Sequence, residues 1–206
     1  MQRSVRRVIM TVLGVLICGF GVSMCRMADF GVDPFQCLCS GIYRNIPLAQ
    51  GPAYIIINAI LLVFALLFYR RSVGLGTFIN MFLLGYVIDG GEGLLRSVFG
   101  TPGMMGRVMW MTAGILVICV SASLYMTADM GISTYDFVAV WLAEKGVLPF
   151  RYMRIVTDVI CVLTGFLLGY VPGVTTIVSA FMLGPVISFF NTHLSRPLLD
   201  GKRKQE

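Results

Sequence analysis

The sequence predicts an all-α membrane protein in which six transmembrane helices form two inverted three-helix repeats. Three observations support this: an apolar composition, long runs without charge, and an internal similarity at a spacing of about 100 residues. Of the 206 residues, 57% are hydrophobic and 13% are charged, whereas soluble domains usually carry about 25% charged residues. The composition therefore excludes an ordinary water-soluble domain and indicates a lipid bilayer as the surroundings.

Four runs without a charged residue reach or exceed the length of a membrane span, which is about 20 residues. They cover 8–25, 45–69, 108–128 and 159–195, and the last is long enough for nearly two spans. The first run follows three arginines, as in a secretory signal, but no small-residue cleavage site follows it. Because it also has a counterpart later in the chain, we expect it to be a retained span.

An internal repeat divides the chain, and such repeats guide every later assignment. The segment Ala28-Asp29-x-Gly31 recurs 100 residues later as Ala128-Asp129-x-Gly131. Residues 74–88 match 173–187 at an offset of 99. The repeated polar and small residues there are Gly74, Thr77 and Gly85, matched by Gly173, Thr176 and Gly184. We therefore expect a first repeat at 1–100 and a second at 101–206, which together form one membrane domain.

Each half is predicted to contain a long span, a short segment, and then two further spans. The first spans are 5–28 and 106–128, the short segments 34–46 and 134–146, the second spans 52–70 and 150–170, and the third spans 74–96 and 173–195. A helix of the short segments' length extends about 20 Å, less than the roughly 30 Å of membrane hydrocarbon. The short segments are therefore expected to be re-entrant or interfacial helices.

The number of spans in each half decides how the repeats are oriented. Three spans per half give inverted repeats, whereas counting the short segments as spans gives four per half and parallel repeats. The positive-inside rule does not separate them, because both arrangements place most basic residues inside. Length favours six spans, which puts both termini in the cytoplasm of a bacterial cell. The residues then expected inside include Arg70, Arg71, Lys202, Arg203 and Lys204.

The repeated polar segment is expected to interrupt a helix in each half. Asp33 and Pro34 form an N-cap followed by proline at the first helical position, and Ser133 offers similar capping chemistry. Gly31 and Gly131 suit the backbone of a tight reversal. Irregular backbone at membrane depth persists only where protein or water surrounds it, and transporters with inverted repeats place such breaks around a substrate. The two loops are therefore expected to enclose one central site.

The same segments carry a family resemblance. Residues 31–36 read GVDPFQ, and residues 74–89 contain a GxGT segment followed by Asn80, Gly85 and Asp89. Through these motifs nearly the whole chain resembles the YczE/YitT-type integral membrane proteins, whose first-half signature is a Gly-x-Gly-Pro-Trp-Asp-like stretch. Asp33 replaces a glycine of that signature and Gln36 replaces its acid. The resemblance implies a polytopic membrane fold and assigns no activity.

Polar side chains in or beside the spans are the candidates for a solute or ion site. Such groups are costly in lipid and mark substrate paths, proton relays or interior pairs. The candidates are Asp29, Asp33, Gln36, Asn58, Asp129, Asp136 and Asp158. Asp158 follows Arg154 by four residues, so a salt bridge on one helical face is an open alternative to solute binding.

A second set of residues is expected to shape the backbone. Glycines allow close helix packing in membranes, Pro34 suits a first helical position, and Thr77 and Thr176 are repeated residues. This structural set is Gly31, Pro34, Gly74, Thr77, Gly85, Gly131, Thr176 and Gly184.

Motifs for catalysis and metal binding are missing from the sequence. The six cysteines form no CxxC or Cys/His cluster, and no Walker, HExxH or serine-elbow motif occurs. We therefore expect no enzymatic activity, no cofactor and no metal. The net charge of +6 arises from basic residues that flank apolar runs, so no nucleic-acid partner is expected.

The sequence favours a small secondary transporter or permease for a cationic or zwitterionic solute, with a polar site between the repeats. Acids outnumber bases around that site, and helix N-termini there favour a carboxylate. Proton coupling, a homo-oligomer and a membrane partner are left open. The alternative is a non-enzymatic accessory or solute-binding subunit that acts with a partner protein.

Overall fold

The computed structural model describes residues 2–46, 50–70 and 73–200. Within these residues the chain is helical and has no strand. Four of the residues expected in the cytoplasm, namely Arg71, Lys202, Arg203 and Lys204, lie outside the described residues.

The helices follow the order that the repeat predicts. Along the described chain they are α1 (Gln2–Ala28), α2 (Pro34–Asn45), α3 (Gln50–Phe68), α4 (Leu75–Phe99), α5 (Met104–Ala128), α6 (Asp136–Glu144), α7 (Phe150–Leu167), α8 (Val174–Phe190) and α9 (Arg196–Asp200). A π-helical turn, Asn191–Ser195, joins α8 to α9. Helical structure therefore continues from α8 to α9 without a break.

Four helices in the described ranges are long and apolar enough to cross a membrane. They are Ser4–Ala28, Leu75–Phe99, Met104–Ala128 and Val174–Leu199. α3 contributes a shorter apolar stretch, Tyr54–Phe68. α7 has 18 residues and carries three charged side chains, which lower its hydropathy. The fold is thus an all-α membrane architecture in which α3 and α7 are intermediate in length between the four long helices and the short α2, α6 and α9.

The two short segments form short helices, of 12 residues in α2 and 9 in α6. The second was expected to start at 134, but α6 begins at Asp136. The first starts earlier because Asp33 Oδ1 accepts hydrogen bonds from two backbone N–H groups, at 3.1 Å each, and Pro34 fixes the first helical φ. Ser133 Oγ accepts one bond, of 3.3 Å, from Tyr135 N, and no proline follows it. This weaker cap leaves residues 134 and 135 in a turn.

α1 and α5, the first helices of the two halves, pack closely side by side. A Cβ atom on Gly14 would lie 2.7 Å from the Cβ of Tyr125, and one on Gly21 would lie 2.9 Å from Ile118 Cγ1. Residue numbers rise along one helix as they fall along the other, so the two helices are antiparallel. The glycines allow this close approach because a side chain there would collide with the neighbouring helix.

The start of α4 and the start of α8 each bind the loop of the other half. Gly76 N donates to Met130 O at 2.8 Å, and Thr175 N donates to Phe30 O at 3.0 Å. These two contacts correspond under the offsets of the sequence repeat. Each loop is therefore held by a helix from the opposite half of the chain.

Glycines make this contact between the halves close. Gly31 and Gly131 have φ of 100° and 108°, a region that favours glycine. A Cβ on Gly173 would lie 1.9 Å from Phe30 O, and one on Gly74 would lie 2.3 Å from Met130 O. Backbone therefore packs directly on backbone at both junctions.

Gly85 departs from the expectation of close helix packing. No heavy atom lies within 4 Å of the position that its Cβ would take, whereas a Cβ on the equivalent Gly184 would lie 2.6 Å from Arg151 O. α8 packs against α7, but α4 makes few contacts with α3. Gly85 instead faces a cavity.

α3 is held more loosely than its repeat equivalent, α7, which packs closely on α2. A Cβ on Gly41 of α2 would lie 2.9 Å from Gly165 Cα of α7. The equivalent positions in α6 and α3 are Trp141 and Ala65, and the indole there meets the ring of Phe68 at 5.7 Å. A bulky indole in place of glycine keeps these helices apart.

Candidate functional site between the two repeats

A small cavity of about 90 Å³ lies between the halves. The first loop (residues 29–33, between α1 and α2) and α2 contribute Asp33 and Gln36 to its wall. The second loop (residues 129–135, between α5 and α6) and α6 contribute Ser133 and Asp136. Beside this cavity, which we name the central cavity, the ring of Phe35 stacks on that of Tyr135 with centroids 4.8 Å apart. The two rings occupy equivalent positions of the repeat, so the cavity lies where the halves meet.

A buried charge cluster forms part of the cavity wall. Arg154, which is 9% exposed, pairs with Asp136 and with Asp158, whose Oδ1 lies 3.3 Å from Nε. The guanidinium also lies 4.6 Å from the centroid of the Tyr135 ring, and the Tyr135 hydroxyl donates to Asp158. The salt bridge that the sequence left open is therefore present, and Asp136 is a second partner that sequence spacing did not reveal.

Asn58 connects α3 to the second loop. Its side chain is 2% exposed; Nδ2 donates to Tyr54 O at 2.8 Å, and Oδ1 accepts from Thr134 Oγ1 at 2.5 Å. The equivalent Asp158 accepts from Tyr135 of the same loop. Asn58 of α3 and Asp158 of α7 therefore both bind the second loop.

The first half contributes polar groups that are less fully paired. Gln36 and Asn80 are each 7% exposed and line the central cavity, and neither side chain is hydrogen-bonded to a residue that the structure describes. In the second half, the position equivalent to Asn80 is Ser179, whose hydroxyl donates to Thr175 O at 2.7 Å. Asn80 was not among the site candidates, although it is a polar residue within an apolar segment.

Asp29 and Asp129 lie away from the central cavity. Both adopt left-handed backbone conformations after α1 and α5, with φ of 56° and 53°. Their side chains are 67% and 80% exposed and form ion pairs with Arg107 at 3.6 Å and Arg7 at 3.9 Å. Because α1 and α5 are antiparallel, the two acids lie at opposite ends of this pair, and the structure does not bring them together.

A larger cavity of about 840 Å³, named here the large cavity, opens on the side of Asp29. Both ends of the first loop and α2, Asp29 and Arg44, line it, whereas Asp33 between them lines the central cavity. The chain between Asp29 and Arg44 therefore passes from the large cavity to the central cavity and back to the large cavity.

A cavity of about 410 Å³, the small end cavity, has the equivalent position in the second half. Met126 and Glu144 line it, and they correspond to Arg26 and Arg44 of the large cavity. Met126 lies near the end of α5 as Arg26 lies near the end of α1, and α1 and α5 are antiparallel, so the two cavities lie towards opposite ends of this helix pair.

Gln36, Tyr54 and Ile88 line both the large and the central cavity, so they separate the two spaces. The mouth of the large cavity carries six charged side chains: Arg26, Arg44, Arg96, Asp29, Asp89 and Glu92. Among them Arg26 pairs with Asp89 at 3.1 Å, and Arg96 pairs with Glu92 at 3.0 Å. The mouth therefore carries balanced charge.

The described residues contain no group of three or more His, Cys, Asp or Glu side chains positioned to hold a metal ion. Their cysteines are free thiols. The polar groups at the centre are thus carboxylates, amides, hydroxyls and one guanidinium, a set suited to binding a polar solute.

Known proteins are similar in sequence to this chain over most of its length. An uncharacterized protein of Haemophilus influenzae is 26% identical over 182 residues, which are 87% of this chain and 81% of the relative. The uncharacterized membrane protein YczE of Bacillus subtilis is 24% identical over 177 residues, 85% of this chain and 81% of YczE. The uncharacterized protein YyaS of the same species is 19% identical over 192 residues, 93% of this chain and 96% of YyaS. No solved structure matches this chain.

These findings confirm the resemblance to YczE-type proteins. With the four long apolar helices, the similarity to a membrane protein identifies the chain as a helical membrane protein. The model of a family of unknown function, DUF6198, matches residues 5–192, from α1 to just beyond the end of α8. The chain belongs to this family.

Proposed function

We propose that this protein is a small secondary transporter for a cationic or zwitterionic solute, which it binds in the central cavity. The observation that carries the proposal is the arrangement of three cavities. The central cavity, whose largely apolar wall includes Asp33, Asp136 and Arg154, lies between the two loops. A larger cavity lies beside each of α2 and α6, towards opposite ends of the α1–α5 pair. Transporters with inverted repeats bind substrate between such broken segments and open alternately to each side.

The proposal includes six spans in two inverted repeats, with α3 and α7 as the second span of each half. The antiparallel packing of α1 and α5 supports inversion, since parallel repeats would place these equivalent helices in the same direction. The ion pairs Arg7–Asp129 and Arg107–Asp29, which repeat at an offset of 100, support it further. Both termini then lie in the cytoplasm of a bacterial cell.

The charges of the site support a cationic or zwitterionic solute. Asp33 and Asp136 line the cavity together with one basic residue, Arg154, which also pairs with the buried Asp158 behind the wall. A carboxylate excess attracts a cation or a proton, and Arg154 offers a counterion for a solute carboxylate. The small volume of the cavity, about 90 Å³, favours a compact solute.

Flux measurements with the purified protein alone test the proposal. The full chain is reconstituted in liposomes, and uptake of labelled methylammonium and of labelled glycine is followed with and without an imposed proton gradient. We expect saturable uptake of at least one probe above that of protein-free liposomes. Flux that appears only after a stoichiometric partner is added would contradict the transporter proposal and support an accessory subunit that acts with a partner protein.

A further inference from the structure

We propose that the first repeat supplies the solute-binding groups of the central cavity and that they select a small cation with N–H donors, such as a primary ammonium group. Asp33 binds the charge, and the amide oxygens of Gln36 and Asn80 accept hydrogen bonds from its N–H groups. This inference rests on the proposed function for the identity of the site. It adds which half of the chain binds the solute and which chemical class the solute belongs to.

Charge pairing distinguishes Asp33 from the other two acids. Asp136 and Asp158 both pair with Arg154. Asp33 has no ion pair with any residue that the structure describes, and its Oδ1 accepts two backbone N–H bonds at the start of α2. The positive end of the α2 dipole lies at this carboxylate and offsets part of the cost of burying its charge. Its second oxygen, Oδ2, remains available to a ligand at the cavity wall.

The amides give a second, independent indication. Gln36 and Asn80 are 93% buried, yet neither is hydrogen-bonded within the described chain, although both line the central cavity. Buried polar groups are almost always hydrogen-bonded. Their repeat equivalents follow that rule, because Asp136 pairs with Arg154 and Ser179 donates to backbone oxygens. Thr175 Oγ1 in the second repeat also lacks a hydrogen bond to any residue that the structure describes, but it does not line the central cavity. Among the described residues that line this cavity, the amides without a hydrogen bond are those of the first repeat, which indicates a ligand or water on that side.

The size and access of the cavity limit the solute. A cavity of about 90 Å³ favours a solute the size of ammonium or methylammonium over a larger one. Gln36 also borders the large cavity. A cation entering from that side therefore meets an amide oxygen before it reaches Asp33.

Ligand-dependent thermal unfolding of the purified full-length protein tests the inference. Methylammonium chloride is compared with sodium chloride and tetramethylammonium chloride at equal ionic strength, because tetramethylammonium carries the charge without an N–H donor. We expect methylammonium alone to raise the melting temperature of the wild type. We expect Asp33→Asn to weaken its apparent affinity at least tenfold, because Asn keeps the N-cap and removes the charge. Asn80→Leu is expected to weaken binding by a smaller factor.

Asp129→Asn is the matched control, since the same substitution is made at an exposed acid in a left-handed conformation that Asn tolerates. Equal stabilisation of wild type and Asp33→Asn by methylammonium overturns the inference, as does a wild type that methylammonium fails to stabilise. The liposome assay separates this from the proposed function. If the protein transports glycine but does not bind methylammonium, the transporter proposal stands and the cation site is wrong. If the protein binds methylammonium but transports neither probe, the cation site stands and the transporter proposal is wrong.

Discussion

Thr77 and Thr176 make equivalent hydrogen bonds to the loop of the opposite repeat. Thr77 Oγ1 donates to Ile132 O at 2.8 Å, and Thr176 Oγ1 donates to Val32 O at 2.6 Å. Each hydroxyl oxygen also accepts from the backbone N–H three residues before it, that of Gly74 or of Gly173. One side chain thus caps its own helix and holds the loop that leads to the central cavity.

Removing either hydroxyl is expected to destabilise the fold. Thr77→Val and Thr176→Val keep the side-chain shape but leave a buried carbonyl oxygen without its partner, which costs about 1–3 kcal/mol. We expect similar losses in the free energy of unfolding for both variants. Denaturation in mixed micelles measures this, with Thr112→Val as the control because that exposed hydroxyl bonds only within α5. A large loss in one variant and none in the other would contradict equivalent roles.

Alanine substitutions at Gly173 and Gly85 are expected to have opposite effects on stability, because Gly173 lies at a close backbone contact and Gly85 faces a cavity. Gly173→Ala places a methyl group 1.9 Å from Phe30 O, so the loop must move and the protein should express poorly or melt far earlier. Gly85→Ala has open space and should fold at least as well as the wild type, since alanine favours helix by roughly 1 kcal/mol. Expression and thermal unfolding of the two variants check this. A stable Gly173→Ala protein would show that the loop does not need this contact.

The Arg154 cluster is expected to respond as a unit. Arg154→Ala leaves two buried carboxylates without a counterion, and breaking a buried pair typically costs about 3–5 kcal/mol. Adding Asp136→Asn and Asp158→Asn removes both charges and should recover most of that stability. Thermal unfolding of the single and triple variants tests this ordering. If the triple variant is no more stable than Arg154→Ala, charge pairing is not what these residues supply.

Activity distinguishes the two interpretations of Asp158 and Asp136. Asp136→Asn should keep the fold, because Asp158 still pairs with Arg154, and should lower flux. Asp158→Asn should keep flux if Asp158 serves only as a partner, because Arg154 stays paired with Asp136. A folded but inactive Asp158→Asn variant would support direct contact with solute or a proton. Liposome uptake alongside thermal unfolding provides both readouts.

Topology can be tested with two exposed positions. Thr101 lies in the connection between α4 and α5, and Lys145 follows α6; both are exposed. In a cysteine-free background, we expect an impermeant thiol reagent to label Thr101→Cys in intact cells and Lys145→Cys only after the cells are opened. Labelling of both positions from outside would contradict six spans with cytoplasmic termini.

The sequence by itself determined the helical membrane class and the shortness of the segments around α2 and α6, and it indicated an internal repeat. These properties depend on local composition and length, because a bilayer requires long apolar helices with internally satisfied backbones. Self-similarity at a fixed offset likewise needs no knowledge of contacts. Asp33 as a helix cap was also readable, since a cap involves only residues within one turn.

Only the tertiary structure decided which polar residues meet at the centre. Asp29 and Asp129 share a motif with Gly31 and Gly131, but antiparallel packing of α1 and α5 carries the two acids to opposite ends. Arg154 reaches Asp136 across 18 positions of sequence, and Asn80 reaches the cavity from a third helix. Such contacts depend on the relative direction of the helices and on close approach of their backbones. Neither property can be read from the local pattern of a single sequence.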